Sequence, residues 1–310
     1  MNRPVPRHNV NLTAEELELV LRGALGQGDH EGGRERFEAD AARYFGVPHA
    51  IAVESGRTAL HLALEGLDLP EGATVVLPSY CFFSLVKVVE GMGFIPRFAP
   101  VDPNSFALCP ARLADHLEGA HAVIVIQPFG QVADMESLQS ITALLNIPLV
   151  EDASQSTGAR WGRHPVGSIG DVGVFSLVSG KNLQTFGGGL ILTHRADVAR
   201  GISVRMSGAT AHTGDHAAQA FRAGLQRWFL TTPVGYRTVM HPISRLLSWV
   251  APSVLEGMLY EERARYDPDR RLYRLSDAQG ALGCLELAEL DRRNATRRAN
   301  ALRLIDGLRG

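Results

Sequence analysis

The chain has 310 residues, 45% apolar and 21% charged, enough for one large buried core plus a smaller part, and it carries neither an internal repeat nor a low-complexity tract. With 31 basic residues against 33 acidic ones the formal net charge is −2, and with no basic block nucleic acid is excluded as the expected partner. Cys81, Cys109 and Cys284 are odd in number and form no Cys-x-x-Cys pair, which fits a reducing compartment, the cytoplasm, and gives no zinc framework, so no metal is expected.

Residues 1–15 are polar and lack a signal core, and no stretch reaches the ~18 uncharged apolar residues of a spanning helix. Thr13-Ala14-Glu15-Glu16 has the form of a capped helix start, and residues 34–45 read as an amphipathic helix that stops before Gly46-Val47-Pro48. A short strand, 50–53, turns through Ser55-Gly56-Arg57-Thr58 into a helix over 59–67. The free amides and positive dipole end of such a turn make it an anion site candidate. Strands are expected at 75–77, 95–99, 122–126 and 147–150. Helices are expected from Tyr80 to Val89, over 110–117 and over 135–145, and the alternation points to a mainly parallel sheet.

The apolar run 147–150 leads into Glu151-Asp152-Ala153-Ser154-Gln155, so Asp152 stands at the carboxyl edge where parallel strands present reactive side chains. A second run, 172–178, leads into Lys181 amid Ser179, Gly180 and Asn182. Lys87 and Lys181 are the only lysines among 31 basic residues, so lysine is kept where arginine would serve for plain charge; unlike arginine, it forms Schiff bases. An aspartate and a lysine on neighbouring strand ends are what pyridoxal phosphate requires: an anion keeps the pyridine nitrogen protonated and an amine holds the aldehyde.

These segments resemble the DegT/DnrJ/StrS-type aminotransferases of fold-type I, which act on keto-sugars. Glu151 to Gln155 is similar to their Glu-Asp-Ala-x-Gln signature, and Phe175-Ser176 through Lys181-Asn182 to their Phe-Ser-x4-Lys-Asn signature. The resemblance implies that Asp152 pairs with the pyridinium, Gln155 bonds on the ring hydroxyl side, Ser176 holds the phosphate and Lys181 carries the cofactor. It implies the same phosphate for Gly56, Arg57 and Thr58, although Arg57 stands where the family has Thr, and it makes Phe82 the ring's stacking partner while Tyr80 and Phe83 join the core. Gln127-Pro128-Phe129-Gly130-Gln131 resembles the family's loop near the substrate, and Arg274, before Leu275-Ser276-Asp277, the residue that reaches the neighbouring subunit's site in a homodimer. Two positions depart from the pattern: Gly187 replaces a glutamate and Leu272 an asparagine.

The implied fold is α/β: a large pyridoxal phosphate domain with a mainly parallel central sheet. Residues 1–260 would be the arm and large domain, and 261–310 the start of a truncated C-terminal domain. The implied reaction moves an amino group from glutamate or glutamine to a keto-sugar, nucleotide-linked, in amino sugar or polysaccharide biosynthesis. A catalytically degenerate relative used for binding or regulation is the alternative. A sugar dehydratase of this family would have histidine at Lys181, and a Rossmann oxidoreductase would need a glycine fingerprint that is missing. His212 and His216 read as loop residues. The apolar segment 221–260 reads as packing against the partner or a further domain, with a membrane-surface segment, using Arg237, His241, Arg245 and Trp249, as the less favoured option.

Overall fold

A computed structural model describes residues 10–27, 30–211, 214–250 and 266–309. Strands β1 (His49–Val53), β2 (Thr74–Pro78), β3 (Ile95–Ala99), β4 (Ala122–Ile126) and β5 (Leu149–Asp152) alternate with helices α3 (Gly56–Gly66), α4 (Phe83–Gly91), α5 (Pro110–Leu113) and α6 (Met135–Leu144), after α1 (Ala14–Ala24) and α2 (Gly33–Phe45). A small hairpin, β6 (Arg160–Trp161) with β7 (His164–Pro165), precedes β8 (Val172–Ser176) and β9 (Gly189–Thr193). Then come α7 (Ala196–Arg205), β10 (Thr210–Ala211), α8 (Gly214–Thr231), α9 (Pro233–Gly235), α10 (His241–Val250), β11 (Tyr273–Arg274) and α11 (Asp277–Arg309).

The main sheet runs β10-β11-β1-β9-β8-β5-β4-β2-β3. From β8 to β3 every pairing is parallel, because a crossover helix or loop separates each pair in sequence; β9 follows β8 without a helix and runs antiparallel to both β8 and β1. Alternation along each strand sorts the core into two faces. Val75, Leu77, Ile124, Val150, Val174 and Ile191 face α3, α4 and α7, while Val76, Val123, Val125, Phe175, Leu190 and Leu192 face α2, α6 and α11. A three-layer α/β/α body results, as expected for the fold class.

The segment from 266 onward, expected to open a second domain, is built into this same body. β11 pairs with β1 at Val53↔Arg274, Leu272 is buried in the core, and Leu275, Leu287 and Leu290 pack with Phe37, Phe45 and Phe175. Thr13 caps α1 through a reciprocal box with Glu16, and α1 lies on α8 through Val20, Ala24 and Phe221. His216 sits on α8 rather than in a loop, near the Tyr273 ring; His212 lies outside the described residues. Of the apolar segment, 214–250 is helical, with Ile243, Leu246 and Trp249 exposed on α10; residues 251–260, with Val254 and Leu255, lie outside the described residues.

Candidate active site

The carboxyl edge of the parallel strands carries the residues singled out above. Asp152 ends β5, beside Ile126 on β4 and Val174 on β8. Its Oδ1 accepts a hydrogen bond from the Ser154 amide at 3.0 Å, and among the described residues Oδ2 receives none. Ser154 Oγ in turn accepts from the Ser176 amide at 3.0 Å, so the ends of β5 and β8 are locked to each other. A half-buried carboxylate held by one oxygen, with the other open, suits a cationic N–H partner.

Glu151 turns the opposite way and is fully buried. It accepts hydrogen bonds from the amides of Gly167 (2.9 Å), Ile169 (2.6 Å) and Gly170 (2.6 Å) and from Gln127 Nε2 (3.3 Å). Burial pushes its carboxyl above the usual range, against the pull of those donors. Glu151 therefore anchors the turn that feeds β8, a role the sequence reading did not assign; the available signal was a carboxylate directly after an apolar run.

The expected anion site lies where α3 begins. Ser55 caps the helix, its Oγ accepting from the Thr58 amide at 3.1 Å. A Cβ on Gly56 would stand 2.8 Å from Ser176 Cβ, so glycine is needed for the helix start to lie against the end of β8. Gly189 lies between them, where a Cβ would come within 2.3 Å of the Ser55 carbonyl oxygen. Thr58 does not join this site: it is completely buried, its amide is taken by Ser55, and its hydroxyl donates to Glu54 Oε1 at 2.6 Å. Glu54 also binds Arg270 at 2.5 Å, tying the helix start to the chain before β11. What remains of the expected anion site is the helix start at Gly56 and Arg57, where Gly56 lies against Ser176.

Lys181 lies on a loop that leaves the sheet at Leu177 and returns at Gly187. The Leu177 carbonyl accepts from the amides of Thr185 (2.9 Å) and Gly187 (3.3 Å), and its own amide donates to the Gly188 carbonyl (2.9 Å). Lys181 is half-buried on this closed arc, five residues past Ser176. Where the family has glutamate, Gly187 and Gly188 adopt φ of 142° and 112°, and neighbouring Phe186 packs edge-on against Phe221.

Phe82 precedes α4 and is 53% exposed, its ring tilted against that of Phe83 with centroids 4.9 Å apart. Cys81 beside it feels the charge of Asp152, which adds to burial in pushing its thiol up. Tyr80 and Phe83 are not core residues: they are 50% and 39% exposed, because β2 stops at Pro78 and the chain runs along the outside of the sheet edge before α4. Gln155 Oε1 accepts from the Phe129 amide at 3.3 Å, and Ser156 Oγ donates to the Gln127 carbonyl at 2.6 Å, so the 127–131 loop is pinned beside Asp152. Arg274 Nη2 donates to the Met206 carbonyl of its own chain at 3.2 Å. A cleft of about 640 Å³ between α1, α2 and α11 contains none of these residues.

The described residues fit pyridoxal phosphate: an acid with an open oxygen, helix-start amides against a serine, an exposed phenyl ring and a lysine on the same sheet edge. A profile of the DegT/DnrJ/EryC1/StrS aminotransferase family matches residues 11–244. An L-glutamine:2-deoxy-scyllo-inosose aminotransferase of Streptomyces fradiae is 31% identical over 277 residues, 89% of this chain and 56% of that one. GDP-perosamine synthase of Caulobacter vibrioides is 34% identical over 164 residues, 53% of this chain and 44% of that one. Among solved structures, S. venezuelae DesV in complex with a ketimine intermediate superposes with a TM-score of 0.67 at 26% identity, over 96% of this chain and 67% of that one. The chain spans about half the length of the curated relatives it matches.

Proposed function

The chain belongs to the DegT/DnrJ/EryC1/StrS aminotransferase family, and on that premise we propose that the whole protein is a pyridoxal phosphate-dependent aminotransferase. It takes an amino group from glutamate or glutamine and gives it to a keto-sugar, nucleotide-linked. The observation that carries this reading is Asp152, held by Ser154 with its other oxygen open, beside the strand that leads to Ser176 and Lys181. The relatives named above, an aminotransferase for 2-deoxy-scyllo-inosose and GDP-perosamine synthase, support the acceptor class.

Bound pyridoxal phosphate supplies an electron sink for the carbon that exchanges its amino group. Asp152 keeps the proton on the ring nitrogen by its negative charge. Gly56 and Arg57 amides, with Ser176, would bind the phosphate, and Phe82 would orient the ring by stacking. Lys181 would hold the cofactor's aldehyde, and its Nζ is the base that would move the proton at the reacting carbon. Gln155 uses its oxygen on Phe129, which leaves its amide nitrogen to donate toward the ring hydroxyl.

The working unit we propose is a cytoplasmic homodimer with shared sites, Arg274 completing the neighbour's. Three free cysteines support a reducing compartment. Among the described residues no helix is long and apolar enough to cross a membrane. The apolar side chains exposed on α10 support a second copy as their cover, since a lipid surface would be met by only Arg237 and Arg245 as full cations. The direct test is borohydride reduction of the cofactor-loaded protein followed by peptide mapping. A phosphopyridoxyl group at Lys181 is expected; modification at Lys87 alone, or none in protein saturated with cofactor, overturns the assignment.

A further inference from the structure

The arc that carries Lys181 lies along one face of α11. Taken in order, its residues meet the helix in reverse. Asn182 Nδ2 donates to Asn294 Oδ1 at 3.2 Å, Gln184 Nε2 donates to Glu286 Oε1 at 3.4 Å, and the carbonyls of Thr185 and Gly187 accept from Gln279 Nε2 at 3.1 and 3.5 Å. Gln279, Glu286 and Asn294 are seven and eight residues apart, about two helical turns each, and so form a polar stripe on the buried side of α11. The same Gln184 accepts from the Gly180 amide at 3.1 Å, so the residues on both sides of Lys181 are tied to the stripe.

Asn294 does more than hold the arc. Its Nδ2 donates to the Thr157 carbonyl at 3.0 Å, and that carbonyl also accepts from Asn182 at 3.4 Å. Thr157 follows Asp152 by five residues in the segment pinned by Ser154 and Ser156. Asn182, Asn294 and Thr157 therefore close a three-cornered joint between the lysine loop and the aspartate loop. Glycine at 158 makes room for it: a Cβ there would come within 2.3 Å of Asn294 Nδ2. Residues 295–308 of the helix are exposed, whereas the half-buried Asn294 aims its carboxamide inward at two loops.

We infer that Asn294 is a positioning residue for the amino-transfer reaction: it sets where Lys181 stands relative to Asp152, acting through Asn182 and Thr157. This rests on the function proposed above. The joint lies beside the lysine's own peptide bond, so releasing it changes the exposure and reach of Nζ without touching the cofactor.

The test uses the fact that the chain has two lysines. Trace labelling of side-chain amines with acetic anhydride, read by mass spectrometry, gives the ratio of Lys181 to Lys87 reactivity in the unloaded protein. A separate titration gives the dissociation constant of pyridoxal phosphate from its visible absorbance. Asn294→Ala should shift both the labelling ratio and the dissociation constant by about three- to tenfold, the equivalent of one net hydrogen bond. Asn294→Asp, which keeps the acceptor for Asn182 but sets an oxygen against the Thr157 carbonyl, should fail to restore the parent ratio. Arg292→Ala, exposed on the same helix and paired with Glu289, serves as the control and should leave both unchanged. Asn182→Ala cuts the joint from the loop side, and the double variant with Asn294→Ala should add little to either single change; should Asn294→Ala fail to fold, Asn182→Ala alone is expected to shift the ratio. A ratio and a dissociation constant equal to those of the control, in folded variants, overturn the inference. If the parent protein binds no cofactor the function falls, while the labelling ratio still decides whether Asn294 positions Lys181.

Discussion

Glu286 gives a test of sign as well as size. It is 1% exposed on α11, its Oε2 is 2.8 Å from Arg293 Nη1, and the same guanidinium binds the buried Glu16 through Nη2 at 2.5 Å. Two buried carboxylates thus share one cation. Burial pushes the Glu286 carboxyl from 4.5 up to about 7, with Glu16 adding to the rise, while Arg293 and Gln184 oppose it. The folded protein therefore holds this proton more tightly than the unfolded chain. Its contribution to stability is fully present below pH 4.5, is lost as the pH rises toward 7, and stays lost above that. At about 1.4 kcal/mol per pH unit, the loss is on the order of 3 kcal/mol.

Glu286→Gln mimics the protonated form and can still accept from Gln184, while Arg293 keeps Glu16. The variant should match the parent at pH 5 and exceed it at pH 8 by up to about 3 kcal/mol, or about 5 °C in Tm at roughly 2 cal/mol/K of unfolding entropy per residue. Thermal unfolding at the two pH values reads this directly. A variant less stable than the parent at pH 8 would show that the ion pair with Arg293 outweighs the cost of burying the charge, and the reasoning would fail.

Asp152→Asn should leave the cofactor attached at Lys181 yet slow transfer by roughly two to three orders of magnitude, since the charge that retains the ring proton is gone; unchanged single-turnover rates refute that role. Gly56→Ala places a methyl against Ser176 and should weaken pyridoxal phosphate binding by about tenfold or more and lower Tm by about 2 to 5 °C, which a cofactor titration and thermal unfolding check. Mixing Lys181→Ala with Arg274→Ala subunits should restore part of the activity in heterodimers. Their formation without recovery counts against shared sites. Trp249→Ala should weaken the dimer in light scattering, and co-flotation of the intact protein with anionic vesicles would instead favour a lipid cover for α10.

Much of this was legible in the chain. Strands 95–99 and 122–126 are bounded as expected, the second because it is an unbroken apolar run and the first because Gly93 and Pro100 punctuate it. The Asp152 and Lys181 segments stand out for the same local reason, a reactive side chain directly after a buried run. What could not be read depended on distant pairing. The hydroxyl of Thr58 is spent on Glu54, which also receives Arg270 from more than two hundred residues away. Tyr80 and Phe83 look like core by composition, yet the direction in which the chain leaves β2 exposes them. His216 follows a glycine and reads as loop, but Ala217, Ala218 and Phe221 bury one side of α8 and make it helix. The stripe on α11 reads as three ordinary polar residues until the lysine loop is laid along it.

Gly189 on β9 lies between Ser176 and the turn after β1, and this has a bearing on how the protein comes into being. The two sides of the expected anion site belong to segments made at very different times during synthesis, and the strand that joins them is the last of the central strands to leave the ribosome. A nascent chain that ends before β9 lacks the strand that pairs with both β1 and β8, so Gly56 and Ser176 are not yet held in one sheet. Such late, non-local closure makes for slow folding, and it ties uptake of the coenzyme to the arrival of β9 between β1 and β8.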